Sequence, residues 1–168
     1  MSRFYIYRQM DSSDCGPACL RMVARHYGLK FSQHYFRTQC HIPRAGVTLR
    51  DIKEAAEVIG LKTNGGRFTL NQLIEDVPLP CILLWNNNHY VVCYNVKKRR
   101  DRVVFQIADP AVGAVTCEKK EMESHWIKQQ NCNLETGLIL QILPGENTDI
   151  EEKQNMVKCT YNNANSRS

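Results

Sequence analysis

The chain has 168 residues, 43% of them hydrophobic, and a formal net charge of +5. At this size it can bury one ordinary core, so one globular unit, residues 1–144, is expected, with 145–168 as a polar linker or tail. No apolar run approaches the ~18 residues needed to cross a bilayer, and the stretch 1–14, with Arg3, Arg8, Asp11 and Asp14, lacks the apolar core of a secretory leader. The isolated chain is therefore expected to be soluble.

Eight cysteines are dispersed through the chain, with no Cys-x-x-Cys pair, so neither a disulfide framework nor a structural zinc is expected, and a reducing setting fits better. Cys19, Cys40, Cys81, Cys93 and Cys117 read as packing residues, and Cys132 and Cys159 as exposed ones. The run Lys97-Lys98-Arg99-Arg100 has no interleaved aromatics and reads as a solvated hairpin tip, so no nucleic-acid partner is expected.

In chain order, the turn Asp11-Ser12-Ser13-Asp14 offers capping oxygens to a helix that opens at Cys15-Gly16-Pro17. Its apolar stripe Leu20, Val23, Ala24, Tyr27 ends at Gly28, a left-handed stop. Residues 31–40 read as a short second helix, with His34 and His41 on the surface. Thr48 caps a third, with Leu49, Ile52, Ala55, Ala56 and Ile59 on one face up to Gly60. Leu61–Thr63 reads as a short strand, Asn64-Gly65-Gly66 as a turn, and Leu70–Asp76 as a helix.

From Pro78 the pattern changes. Cys81–Trp85 is an apolar run of strand length, Asn86-Asn87-Asn88 a turn, and 89–96 and 102–108 are β-rich segments joined by the basic tip. A helix over Lys120–Trp126 and a strand over Thr136–Leu143 follow. Helices first and antiparallel strands later give an α+β architecture.

A cysteine at a helix N-terminus meets unpaired backbone N–H groups and the positive end of the helix dipole, which favour a thiolate. Cys15 occupies such a position, although a small buried residue at a helix start has the same pattern. His89 opens one strand and Asp109 closes the next, each ten residues from Arg99. A hairpin symmetric about that centre puts them directly opposite, with Cβ atoms ~5 Å apart on one face. A carboxylate there would fix the imidazole's orientation and support its charged form, which a thiolate nucleophile needs nearby. Separate fates remain open, His89 in a turn and Asp109-Pro110 as a turn former. Gln9, six residues before Cys15, offers a side-chain donor to a developing oxyanion, with the Cys15 N–H as the second.

The run Gln9–Met22, Trp85 with His89-Tyr90-Val91-Val92, Ile107-Ala108-Asp109-Pro110 with Gly113, and Trp126 with Thr136-Gly137 together resemble the bacteriocin-processing, double-glycine cysteine peptidases. These are the N-terminal cytosolic domains of peptidase-containing ABC transporters, and the resemblance covers about residues 8–144. It implies a papain-like fold, with Cys15 as nucleophile, His89 as base, Asp109 orienting it and Gln9 in the oxyanion hole. It also implies removal of leader peptides after Gly-Gly, Gly-Ala or Gly-Ser, the leader docking as an amphipathic helix in an apolar groove away from Cys15. The implied partners are the leader of a secreted precursor and the membrane and ATP-binding domains of a transporter, at the cytoplasmic side of a bacterial membrane. No cofactor is implied for the peptidase itself, ATP and magnesium belonging to the transporter part. A non-catalytic leader-docking module is the alternative. A papain-like amidase or transglutaminase-type acyl transferase is a third reading. On this reading Gly65-Gly66 is a turn and not a cleavage site.

Overall fold

The computed structural model describes residues 3–40, 47–130 and 132–145. The helices are α1 (Cys15–His26), α2 (Gln33–Gln39), α3 (Leu49–Val58), α4 (Leu70–Glu75) and α5 (Lys119–His125). The strands are β1 (Lys62–Phe68), β2 (Cys81–Trp85), β3 (His89–Lys98), β4 (Val103–Asp109), β5 (Gly113–Glu118), β6 (Lys128–Gln130) and β7 (Cys132–Leu143). They form an antiparallel sheet in the order β1-β7-β2-β3-β4-β5, with β6 pairing with β7. This is the expected α+β architecture.

Both faces of the sheet are covered, which is why its central strands read as continuous apolar runs. Ile82, Tyr90, Val92 and Leu140 pack under α1, α2 and α3 with Leu20, Phe36, Ile52 and Ala56. Their neighbours Leu83, Val91, Cys93 and Ile139 face the other way and pack with Leu73 of α4, and with Met122 and Trp126 at α5. Gly137 allows that second layer to close. A Cβ there would fall inside the Trp126 indole, whose Nε1 donates to the Leu138 carbonyl at 3.0 Å.

Most boundaries follow local chemistry. Thr48 and Asp51 form a reciprocal capping box on α3, and Thr69 with Gln72 forms another on α4. Gly28 ends α1 in the left-handed region at φ +84°. Asn86 and Asn87 hold φ values of 53° and 63°, as a tight hairpin turn between β2 and β3 requires.

Three expectations are corrected. Asn64-Gly65-Gly66 is no turn, because β1 runs through it and pairs along its whole length with β7, Gly65 opposite Leu140. Gly65 and Gly66 are tolerated there because the partner strand supplies the ladder and Leu140 and Leu49 lie over Gly65. Strands β5 and β6 were not foreseen; β5 is a Gly- and Ala-containing edge strand with weak β-propensity. The β3–β4 hairpin is not symmetric about Arg99, since its tip closes from Arg99 N–H to the Arg102 carbonyl at 2.8 Å and Lys98 pairs with Val103. The expectations for His41, for Cys159 and for the tail beyond Gly145 fall outside the described residues, as does that for the Cys132 side chain. Among the described residues, no helix is long and apolar enough to cross a membrane.

Candidate active site

Cys15 is the first residue of α1 and only 6% exposed. Gly16 lets the helix start seat this deeply, since a side chain there would press on Ile52 and Val47 at 3.1–3.3 Å. Asp11 caps the short turn ahead of α1, accepting from Ser13 N–H. Asp14 precedes the helix but does not cap it, contrary to expectation. Its carboxylate is fully buried, and α2 brings Arg37 Nε to 2.9 Å from Oδ1, a counter-charge that offsets part of the cost of burying it. The ion pair ties the turn carrying Cys15 to α2.

His89 is the first residue of β3, level with Trp85 across the β2–β3 ladder. The turn before it is braced by α5, with Asn86 N–H donating to the His125 carbonyl at 2.7 Å and the His125 ring stacked on Trp85 at 4.9 Å. His89 Nε2 lies 2.6 Å from Asp109 Oδ1. The ring's other nitrogen is left for Cys15, with which His89 shares a side-chain hydrogen bond. Cys15, His89 and Asp109 therefore form one connected line.

Asp109 also accepts from the Ala111 N–H at 2.8 Å. Arg8 Nη2 donates to the Ala111 carbonyl at 2.7 Å, and Gln9 N–H donates to the Pro110 carbonyl at 2.8 Å. The N-terminal segment thus clips onto the turn that carries Asp109 and brings Gln9 there. Gln9 Oε1 is buried and has no hydrogen-bond partner. Arg8, Arg37 and His125 were missed in the sequence, where they carry no motif; their roles come from long-range contacts.

Burial pushes the Cys15 thiol up, but hydrogen bonds from His89 and from the backbone of Tyr90 and Gly16 outweigh it and hold the thiol below its ordinary value. The other described cysteines go the opposite way, burial raising Cys40 and Cys93 to about 12 and Cys117 to about 11. The hydrogen bond to Asp109, then that to Cys15, raises His89 to about 9. Burial would raise the Asp109 carboxyl, yet its bonds from His89 and Ala111 keep it below the usual carboxylate range. A lowered thiol beside a raised imidazole can exist as a thiolate–imidazolium pair, the reactive form for attack on a carbonyl carbon. Among the described residues, no group of three or more His, Cys, Asp or Glu could hold a metal ion.

The model of the Peptidase C39 family matches residues 3–130. The chain belongs to that family. C39 peptidases are cysteine peptidases, and the chain is one of them. It is 30% identical over 155 residues to the colicin V secretion/processing ATP-binding protein CvaB of Escherichia coli, covering 92% of this chain and 20% of that protein. It is 32% identical over 128 residues to the lactococcin-G-processing and transport ATP-binding protein LagD of Lactococcus lactis, covering 72% and 17%. The chain thus spans about a fifth of the length of these relatives. Among solved structures, a double glycine motif protease from an AMS/PCAT transporter, in complex with the leader peptide, is 29% identical with a TM-score of 0.73, covering 84% of this chain and 92% of that one. The peptidase domain of Streptococcus ComA is 27% identical with a TM-score of 0.69, covering 84% and 99%. Their likeness extends over nearly the whole C39 domain and carries the papain-like fold.

Proposed function

We propose that this C39 domain is an endopeptidase that removes the leader of a secreted precursor peptide by cutting after a Gly-Gly, Gly-Ala or Gly-Ser pair. The observation that carries the proposal is the line Cys15–His89–Asp109, with 2.6 Å between its last two members, in a chain so similar to a double glycine motif protease.

In this reading the Cys15 thiolate attacks the carbonyl carbon of the second small residue, and its electron pair forms the C–S bond while the carbonyl π pair moves to oxygen. The backbone N–H of Cys15 and the Gln9 side-chain amide donate to that oxyanion. The His89 imidazolium gives its proton to the departing amine as the C–N bond breaks, leaving a thioester on Cys15. Neutral His89 then takes a proton from water, whose oxygen attacks the thioester; the C–S bond breaks to return the Cys15 thiolate, and the leader leaves as a carboxylic acid that gives its proton to solvent. Asp109 keeps the ring turned toward Cys15 throughout.

Two glycines present too little surface to supply much binding energy, so affinity comes from contacts remote from the cut. A leader held as an amphipathic helix in an apolar groove provides them. The relatives' names support coupling to an ABC transporter whose membrane and ATP-binding parts hold this domain at the cytoplasmic face. The test is a synthetic precursor with a Gly-Gly junction, its products weighed by mass spectrometry. Scission directly after the second Gly is expected, and scission elsewhere or none would contradict the reading.

A further inference from the structure

The N-terminal segment that leads to Gln9 crosses α1 further along, and there an open pocket of about 390 Å³ is lined by Tyr7, Arg21, Arg25, Lys30, Phe31 and Ser32, among others. Its charge is one-sided, with no Asp or Glu among the lining residues. Arg21 and Arg25, one helical turn apart, are both half-buried. Aromatic rings hold them in place of carboxylates. Arg21 lies 3.8 Å over the Tyr7 ring and donates to the Phe31 carbonyl at 3.0 Å, and Arg25 lies 4.5 Å over the Tyr5 ring. Neither guanidinium is in a salt bridge among the described residues. A guanidinium partly withdrawn from water without a counter-ion gains from an incoming anion, and its fork suits a carboxylate in particular.

We propose that this pocket is a substrate subsite that takes the side-chain carboxylate of an acidic residue in the peptide being cut. The inference rests on the peptidase reading above. Arg21 and Arg25 lie about 9 and 15 Å along the helix axis from Cys15, at 1.5 Å per residue. An extended peptide covers those lengths in about three to five residues. The acidic residue therefore sits about three to five residues from the scissile bond. The rings of Tyr7 and Phe31 add apolar walls that a peptide side chain uses and a free inorganic anion does not.

Internally quenched peptides centred on Gly-Gly, each carrying one Glu three to five residues to either side of the cut, are compared with their Gln counterparts. With the unmodified domain at low salt, one Glu peptide is expected to exceed its Gln counterpart about 10-fold or more in kcat/KM, through KM. Arg25→Ala is expected to bring that Glu peptide down to the rate of its Gln counterpart, and Arg25→Lys to keep part of the preference. Arg25 is the side chain to change because its guanidinium lies over the Tyr5 ring, whereas Arg21 also holds the Phe31 carbonyl. Equal rates for every Glu and Gln pair, or a preference that survives Arg25→Ala, would overturn the subsite and leave the peptidase reading standing. No turnover of any peptide would remove that reading, and the subsite with it.

Discussion

His89 and Asp109 meet at 2.6 Å because the ladder between their strands contains one extra residue, Tyr94. Near the hairpin tip Lys98 pairs with Val103 and Val96 with Phe105; past the bulge Cys93 pairs with Ile107 and Val92 with Ala108. An unbroken ladder from the tip would set Asp109 level with Val92, on the opposite face from His89. The bulge shifts the register by one, so Asp109 lies level with Val91 and shares a face with His89 two residues away. The contact is thus diagonal, and a bulge that re-aims a side chain beside a reactive site is a recognised use of that irregularity. Phe4 of the N-terminal segment stacks flat on Tyr94, at 4.6 Å and 2°, which braces the bulge.

Asp109→Asn is expected to keep a measurable fraction of activity, because a preformed thiolate pair depends less on ring orientation than a serine does. Its pH profile is expected to change as well. In the unmodified domain activity is expected to fall as pH rises through about 9, where the His89 imidazolium is lost. The hydrogen bond to Asp109 is the largest cause of that raised value, so the alkaline limb of the variant moves to lower pH. Stability follows the same sign. A folded value raised above the ordinary ~6.5 gives stabilisation that is complete below about pH 6.5 and lost as pH rises through about 9. Denaturant titrations at pH 6 and pH 9.5 are expected to show this loss, and to show less of it in Asp109→Asn.

Cys15→Ala and His89→Ala are each expected to abolish cleavage while leaving the circular dichroism spectrum unchanged, since nucleophile and base act as a unit. Iodoacetamide at neutral pH is expected to modify Cys15 before the other buried cysteines, whose thiols are shifted up. Residual cleavage by the Cys15→Ala protein would rule out this nucleophile.

Gln9→Ala is expected to lower kcat by about 10²–10³ with little change in KM, the effect of removing one donor to a developing oxyanion. Steady-state kinetics on the Gly-Gly precursor measures both. A change confined to KM would assign Gln9 to binding instead.

Much of the site is legible in the sequence because its parts rest on local chemistry. The Asp- and Ser-rich turn before Cys15-Gly16-Pro17 fixes a helix start, and the Asn86-Asn87 turn fixes where β3 begins and hence where His89 sits. The His89–Asp109 contact was expected, but from a hairpin centre that the structure does not have. Two errors cancelled there: the tip lies further along the chain, and a bulge restores the face. Bulges are set by packing on both sides of a strand, here by Phe4 on Tyr94, and leave little trace in residue pattern. Gly65-Gly66 misled for the same reason, since pairing with β7 overrides the local preference of two glycines for a turn.

Gly137→Ala is expected to destabilise the domain by about 1–3 kcal/mol, because the added methyl meets the rigid Trp126 indole and one of the two must shift. Equilibrium unfolding in urea measures the loss. Gly66→Ala, where the nearest atoms belong to the partly exposed Phe68 ring, is the less costly comparison.

Two assignments carry the mechanism: Cys15 as the nucleophile, and a cleft that accepts Gly-Gly on the leader side of the cut. A leader peptide ending in a Gly-Gly chloromethyl ketone tests both at once, read by intact mass and then by peptide mapping of the labelled protein. One adduct per chain, located on Cys15 and greatly slowed when the terminal Gly-Gly is replaced by Leu-Leu, is the expected result. An adduct on any other residue, or labelling of Cys15 at the same rate by the Leu-Leu reagent, would contradict it.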